Sequence, residues 1–198
     1  ARSLGLDLNP SKCELLSNTP ELNNSVFSDF VRVDWDEAEL LGSPLSAGAR
    51  QTTILEAKCA DLSRAMSRLR FLDAHYALTI VTNCITSPKL MYTLRTSCCY
   101  DSDVLAEFDT IMRFGLESVL NVQLSEEQWL QASLPVREGG LGVRSVVSLA
   151  PSAFLASAVS TRTLQDDILP RLLPDFHFDS CVALWSVLAS SAPLSELD

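Results

Sequence analysis

A chain of 198 residues with 47% hydrophobic and 20% charged residues is long enough for one packed domain or two small ones, and too apolar to be disordered. Its formal net charge of −10 excludes a basic nucleic-acid-binding surface spread over the whole molecule, because neutralising phosphate takes Lys and Arg. The most apolar run, residues 74–85, is broken by Thr79, Thr82 and Asn83 and is too short and too polar to span a bilayer, so no membrane partner is expected.

In chain order, residues 5–10 (GLDLNP) read as a short extended segment or helix end leading into a turn at Asn9-Pro10. A second extended candidate covers residues 26–35. There Val31, Val33 and Trp35 alternate with Phe30, Arg32 and Asp34, the pattern of a strand with one buried face. The acidic run DWDEAE leads to ELLGSPLS, where Gly42 and Pro44 predict a strand end or tight turn.

After Gly48 the periodicity becomes helical. Thr53 and Glu56 have the spacing of a capping box. Leu55, Cys59, Leu62, Met66, Leu69 and Leu72 recur at intervals of three and four, which predicts one apolar face of a long helix. Arg64 and Arg68 lie four apart on its more polar face. A second apolar helix is predicted over residues 76–85. Ser87-Pro88 reads as an N-cap with proline at the first helical position. Asp101-Ser-Asp103 caps a helix through Leu120, with Leu105, Phe108, Ile111, Met112, Leu116 and Leu120 inside. Ser125-Glu-Glu-Gln128 is another capping box. Residues 145–160 predict a helix rich in small residues and interrupted near Pro151, followed by shorter segments at 168–173 and 180–189.

Two extended pieces followed by at least five helices predict a mainly α fold, a helical bundle with a small β element at its N-terminal edge. Two isolated strands are marginal in water. The β element therefore reads as the end of a larger domain whose other strands precede Ala1. The N-terminus lacks the long apolar stretch of a signal peptide, so a cytoplasmic or nuclear location is expected.

Three of the seven glycines, Gly139, Gly140 and Gly142, fall in LPVREGGLGVRS. A phosphate-binding P-loop needs Gly-Lys-Ser/Thr at its end, and here Gly142 is followed by Val143-Arg144. A dinucleotide fingerprint needs a third glycine where Ser145 stands, and a buried strand before it. The loop reads instead as a connection needing positive φ and close backbone approach. Asp166-Asp167 reads as a solvated helix end rather than a metal pair. The six cysteines contain no C-x-x-C pair, and His75 and His177 belong to no ligand-spaced cluster. No metal site and no cofactor are expected in this chain, and buried free thiols are the expectation. No G-x-S-x-G elbow is present.

The order GLDLNPSKCEL, then ELLGSPLS, then ASLPVREGGLGVRS followed by LAPSAFLASAV resembles the downstream part of the reverse transcriptases of non-LTR retrotransposons. The resemblance implies a palm end with a primer-grip-like hairpin over residues 1–49, a helical thumb-like domain over 50–133, and a post-thumb helical region with an acidic tail over 134–198. It implies that Lys12 matches the palm lysine near the incoming nucleotide's phosphates, a possible general acid. It also implies that Leu41 and Gly42 match the turn supporting the primer. By the same resemblance, the helix carrying Lys58, Arg64 and Arg68 would be the thumb helix facing the duplex backbone. Residues 50–70 carry five basic against two acidic residues, whereas 163–198 carry one against six.

The resemblance further implies that the catalytic carboxylates, which hold two Mg²⁺ ions in this family, would lie upstream of Ala1. The expectation is thus a fragment of an RNA-directed DNA polymerase, inactive alone. RNA template and DNA primer are partners of the parent protein, and autonomous nucleic-acid binding is weak or absent. The alternative left open is a non-catalytic helical protein-interaction module derived from a retroelement.

Overall fold

The computed structural model describes residues 5, 7–17, 27–168 and 178–189. The fold is mainly helical with small strand elements at its N-terminal side, as the periodicity predicts. Two short strand pairs come first. β1 (Glu14–Leu15) pairs in parallel with β2 (Val31–Arg32), and β3 (Glu39–Leu40) pairs antiparallel with β4 (Ser43–Pro44). The helices are α1 (Ala49–Leu69), α2 (Ala74–Ile80), α3 (Ser87–Thr96), α4 (Asp103–Leu120), α5 (Glu126–Ser133), α6 (Val146–Ile168) and α7 (Phe178–Ala189).

The predicted strand over 26–35 shrinks to the two residues of β2, and Val26 lies outside the described residues. Val31 and Trp35 are exposed, and Trp35 opens a 3-10 turn. Alternation marks a half-buried strand only where a layer covers one face, and no core residue lies in this pair. The turn at Asn9-Pro10 is present: Asn9 caps the 3-10 turn Pro10–Lys12 by accepting from the Ser11 amide at 3.2 Å.

α1 buries Leu55, Cys59, Leu62, Met66 and Leu69, as its spacing predicts, while Leu72 falls beyond the helix end and is exposed. The Thr53–Glu56 capping box is not formed. α1 starts five residues earlier, with Gly48 as its N-cap, and the Thr53 hydroxyl donates to the Ala49 carbonyl at 3.0 Å. Gln51, buried within this first turn, donates to the Cys98 carbonyl at 3.2 Å, an anchor the capping pattern does not contain.

α1 packs on α4. The Cys59 thiol reaches the Val104 carbonyl at 3.7 Å, and Met66 occupies the space a Cβ on Gly115 would need, so the two helices run in the same direction. Between them, α2 passes into a π turn (Val81–Ile85) closed by Thr86, whose amide and hydroxyl both donate to the Val81 carbonyl. This covers the predicted helix over 76–85. The N-cap of α3 is Thr86, one residue before the predicted Ser87. α4 buries Leu105, Phe108, Met112, Leu116 and Val119, with Ile111 and Leu120 packed at the margin. The Ser125 capping box is formed: the Gln128 amide donates to Ser125 Oγ at 3.3 Å, and the Ser125 amide donates to Gln128 Oε1 at 2.9 Å.

α6 is not interrupted. Pro151 sits inside it and is buried with Ala150, Ala153 and Leu155. The packing of this face outweighs the one lost amide bond. The Pro151 carbonyl accepts from the Cys181 thiol at 3.6 Å, which joins α6 to α7. The Tyr100 ring stands 5.9 Å from Phe154, and its hydroxyl lies 3.1 Å from Ser180 Oγ. The segment predicted over 168–173 lies outside the described residues beyond Ile168. One hydrophobic core runs from Leu55 to Cys181 and is shared by the helices before and after residue 134. No helix among the described residues is long and apolar enough to cross a membrane.

Candidate nucleic-acid interface

The β3–β4 hairpin has the two-residue loop Leu41-Gly42, with φ of 52° and 84°. Positive φ at both positions is the type I′ geometry, whose twist matches the flanking strands. The tight turn predicted here is therefore present. Glycine meets its requirement freely, whereas a leucine in the left-handed region costs about 1 kcal/mol. The Leu41 side chain gains nothing by burial, being 88% exposed.

The hairpin is latched to α3. Tyr92 Oη donates to the Leu41 carbonyl at 2.8 Å. Ser43 Oγ donates to Thr96 Oγ1 at 2.8 Å and lies 2.8 Å from Ser97 Oγ. Arg50 Nε, at the start of α1, donates to Glu39 Oε2 at 2.7 Å. The turn residues are thus fixed to two helices.

Of the predicted cations on α1, Arg64 and Arg68 are exposed on the outward face. Arg64 pairs with Asp61, and Arg68 has no ion-pair partner among the described residues. Lys58 is half-buried. Six residues from Arg64, it points about 120° away around the helix. The structure brings Arg64 and Arg68 together and leaves Lys58 on the flank.

Lys12 ends the 3-10 turn and is exposed. A hollow of about 330 Å³ beside the hairpin is lined by Glu14, Glu37, Glu39, Leu41 and Arg50. It does not fit a two-metal site, because the Arg50 cation occupies Glu39. Asp166 and Asp167 are exposed on the last turn of α6. No group of three or more metal-ligating side chains is assembled among the described residues.

The glycine loop is a closed backbone turn. Gly139 and Gly142 have φ of 82° and 74°. A Cβ on Gly140 would lie 2.0 Å from the Leu134 carbonyl oxygen. The amides of Gly139, Gly140, Leu141, Gly142 and Val143 donate to the carbonyls of Val136, Pro135, Ala132, Leu134 and Ala132. A phosphate cradle needs such amides free; here each already has an acceptor.

The loop delivers the chain to α6, whose N-terminus is capped from another helix. Asp109 on α4 accepts from Ser145 Oγ at 2.6 Å, the Val146 amide at 2.8 Å and the Val147 amide at 3.3 Å. Burial pushes the Asp109 carboxyl up from its usual range, against the lowering effect of those three donors. Sequence reasoning misses this residue because the cap comes from a distant element. It also misses Gly115, for which an isolated glycine inside a helical pattern is the available signal, and Tyr92, which no local motif marks.

Compared with known proteins, the chain matches no family model, no curated protein and no solved structure.

Proposed function

We propose that this chain is the palm end and thumb portion of a retrotransposon RNA-directed DNA polymerase, and that it contacts the template–primer duplex without performing the chemical step. The observation carrying this reading is the tight, exposed hairpin tip at Leu41-Gly42, tied through Glu39 and Arg50 to the start of the helix whose outward face carries Arg64 and Arg68 about 21–27 Å further along its axis. Cations presented on one helix face position a duplex through its phosphates and carry no sequence information. Lys58 extends the same helix's contact on its flank, and Lys12 approaches the nucleotide phosphates once the rest of the palm is in place.

The test is binding of an RNA–DNA hybrid by the isolated chain across a salt series. Weak affinity at low salt is expected, consistent with the net charge of −10. The triple variant K58A/R64A/R68A should reduce it, with a shallower salt dependence by about one contact per cation removed. Undetectable binding at low salt, or binding indifferent to these substitutions, would count against the proposal. Primer extension by the chain alone with Mg²⁺ and an RNA template should yield no DNA, and robust synthesis would refute the assignment.

A second reading is a helical protein-interaction module derived from a retroelement. The net acidity favours it, together with the exposed apolar side chains of Phe114, Leu130 and Val136. It predicts hybrid binding no stronger than that of an unrelated acidic protein.

A further inference from the structure

Between Asp73 and Asp101 the chain contains no acidic residue, within a molecule of net charge −10. α3 lies in this interval and exposes Lys89, Tyr92 and Arg95. Neither Lys89 nor Arg95 has an ion-pair partner among the described residues. They stand three residues to either side of Tyr92, so each flanks it by about 60° around the helix, and they are about 9 Å apart along its axis. The Tyr92 hydroxyl is committed to the Leu41 carbonyl, which holds its half-exposed ring beside the hairpin tip.

Leu41 itself is unexplained by folding. Its backbone is strained, its side chain is in water, and Asn or Gly would form the same turn with less strain. Strain retained without burial points to a contact made outside the chain. Two unpaired cations on either side of an aromatic ring, next to an exposed leucine, match a nucleic-acid strand. The cations take phosphates, and the ring and leucine lie on sugar and base faces.

We infer that Lys89, Tyr92 and Arg95 of α3, with Leu41, form a second strand-contacting surface, in which Tyr92 positions the hairpin tip between the two cations. The inference rests on the duplex-binding reading above and adds to it Lys89, Tyr92 and Arg95, which the resemblance does not assign; Leu41 is shared with the hairpin turn already described.

Hybrid binding followed by fluorescence anisotropy over a salt series tests it, with the fold of each variant checked by circular dichroism. K89A/R95A should weaken binding on the order of tenfold and reduce the salt slope by about two. L41A should weaken binding with the slope unchanged. Y92F should weaken binding and speed amide exchange over residues 39–44 while helix content stays constant. If R64A/R68A loses binding and K89A/R95A does not, this inference fails and the proposed function stands. If the wild-type chain binds no hybrid at low salt, both fail. Tighter binding of poly-glutamate than of the hybrid at equal ionic strength would overturn the inference in favour of an acidic protein partner.

Discussion

Asp109 and Ser145, 36 residues apart in sequence, are joined by a 2.6 Å hydrogen bond that sets the N-terminus of α6 against the middle of α4. The carboxylate also receives the Val146 and Val147 amides, so one side chain satisfies three donors at a helix start. Asp109→Ala removes the one side chain that accepts from all three donors. The expected cost is about 2–3 kcal/mol, because the donors left behind are partly buried. Asp109→Asn keeps one acceptor oxygen and should cost about half as much. Urea unfolding reads this as a lower midpoint with an unchanged slope. A midpoint within error of wild type would show that water replaces the cap without loss.

The same carboxyl sets a pH dependence. Its folded-state pKa is raised above the ordinary aspartate value, with burial the largest cause. A raised folded pKa means that the native state holds the proton more tightly than the unfolded chain does. Its contribution is then fully present below the unfolded pKa of about 3.9 and is lost as pH rises through the raised folded value. The stability difference between wild type and Asp109→Asn should therefore fall as pH climbs through that acidic window and level off above it. A difference that grows with pH there would mean that the three donors outweigh burial.

The Asp109 cap is not legible in the sequence alone. The α1 stripe, the Ser125 capping box and the glycine turn were legible because each is local: a period of three to four, a pair three residues apart, and a need for positive φ. The Asp109 cap and the Tyr92–Leu41 latch each join residues dozens of positions apart, and no window in the sequence contains both partners. The Thr53 box and the break at Pro151 misled for the opposite reason. Both are valid local signals overridden by tertiary packing, through buried Gln51 in one case and the buried face around Pro151 in the other. At the candidate interface, the cations were visible as composition, and their division between the outward face and the flank of α1 follows from the six-residue spacing of Lys58 and Arg64 once the stretch is a helix.

The glycine turn separates two effects that are usually confounded. Gly139 has φ of 82° and open space where a Cβ would go, so Gly139→Ala should cost only backbone strain, about 1 kcal/mol. Gly140 carries no positive φ, but a Cβ there would collide with the Leu134 and Gln131 carbonyl oxygens. Backbone oxygens cannot rotate aside, so Gly140→Ala should cost about 3 kcal/mol or more and loosen the start of α6. Thermal unfolding of the two variants should rank Gly140→Ala well below Gly139→Ala. The reverse order would mean that the loop relaxes freely around position 140.

The thiols offer a check on the core that needs no substitution. Burial pushes Cys59 up to about 11 and Cys99 and Cys181 up to about 12, from an ordinary 9.0. The thiolate is the reacting species, so at pH 8 these three should react with a disulfide reagent only as fast as the protein opens. Cys84, exposed on the π turn, should react first. Native titration should thus show a rapid phase abolished by Cys84→Ser, and a slow phase accelerated by urea. The same raised values bear on alkaline stability. Stability tied to the neutral buried thiols is intact below the unfolded pKa and is lost as pH rises through 9 toward 11–12. The slow phase should therefore quicken faster above pH 9 than reagent chemistry alone accounts for. If all six cysteines instead react at one rate in the native protein, the packing of Cys181 beneath Pro151 and of Cys59 against α4 is not the solution state.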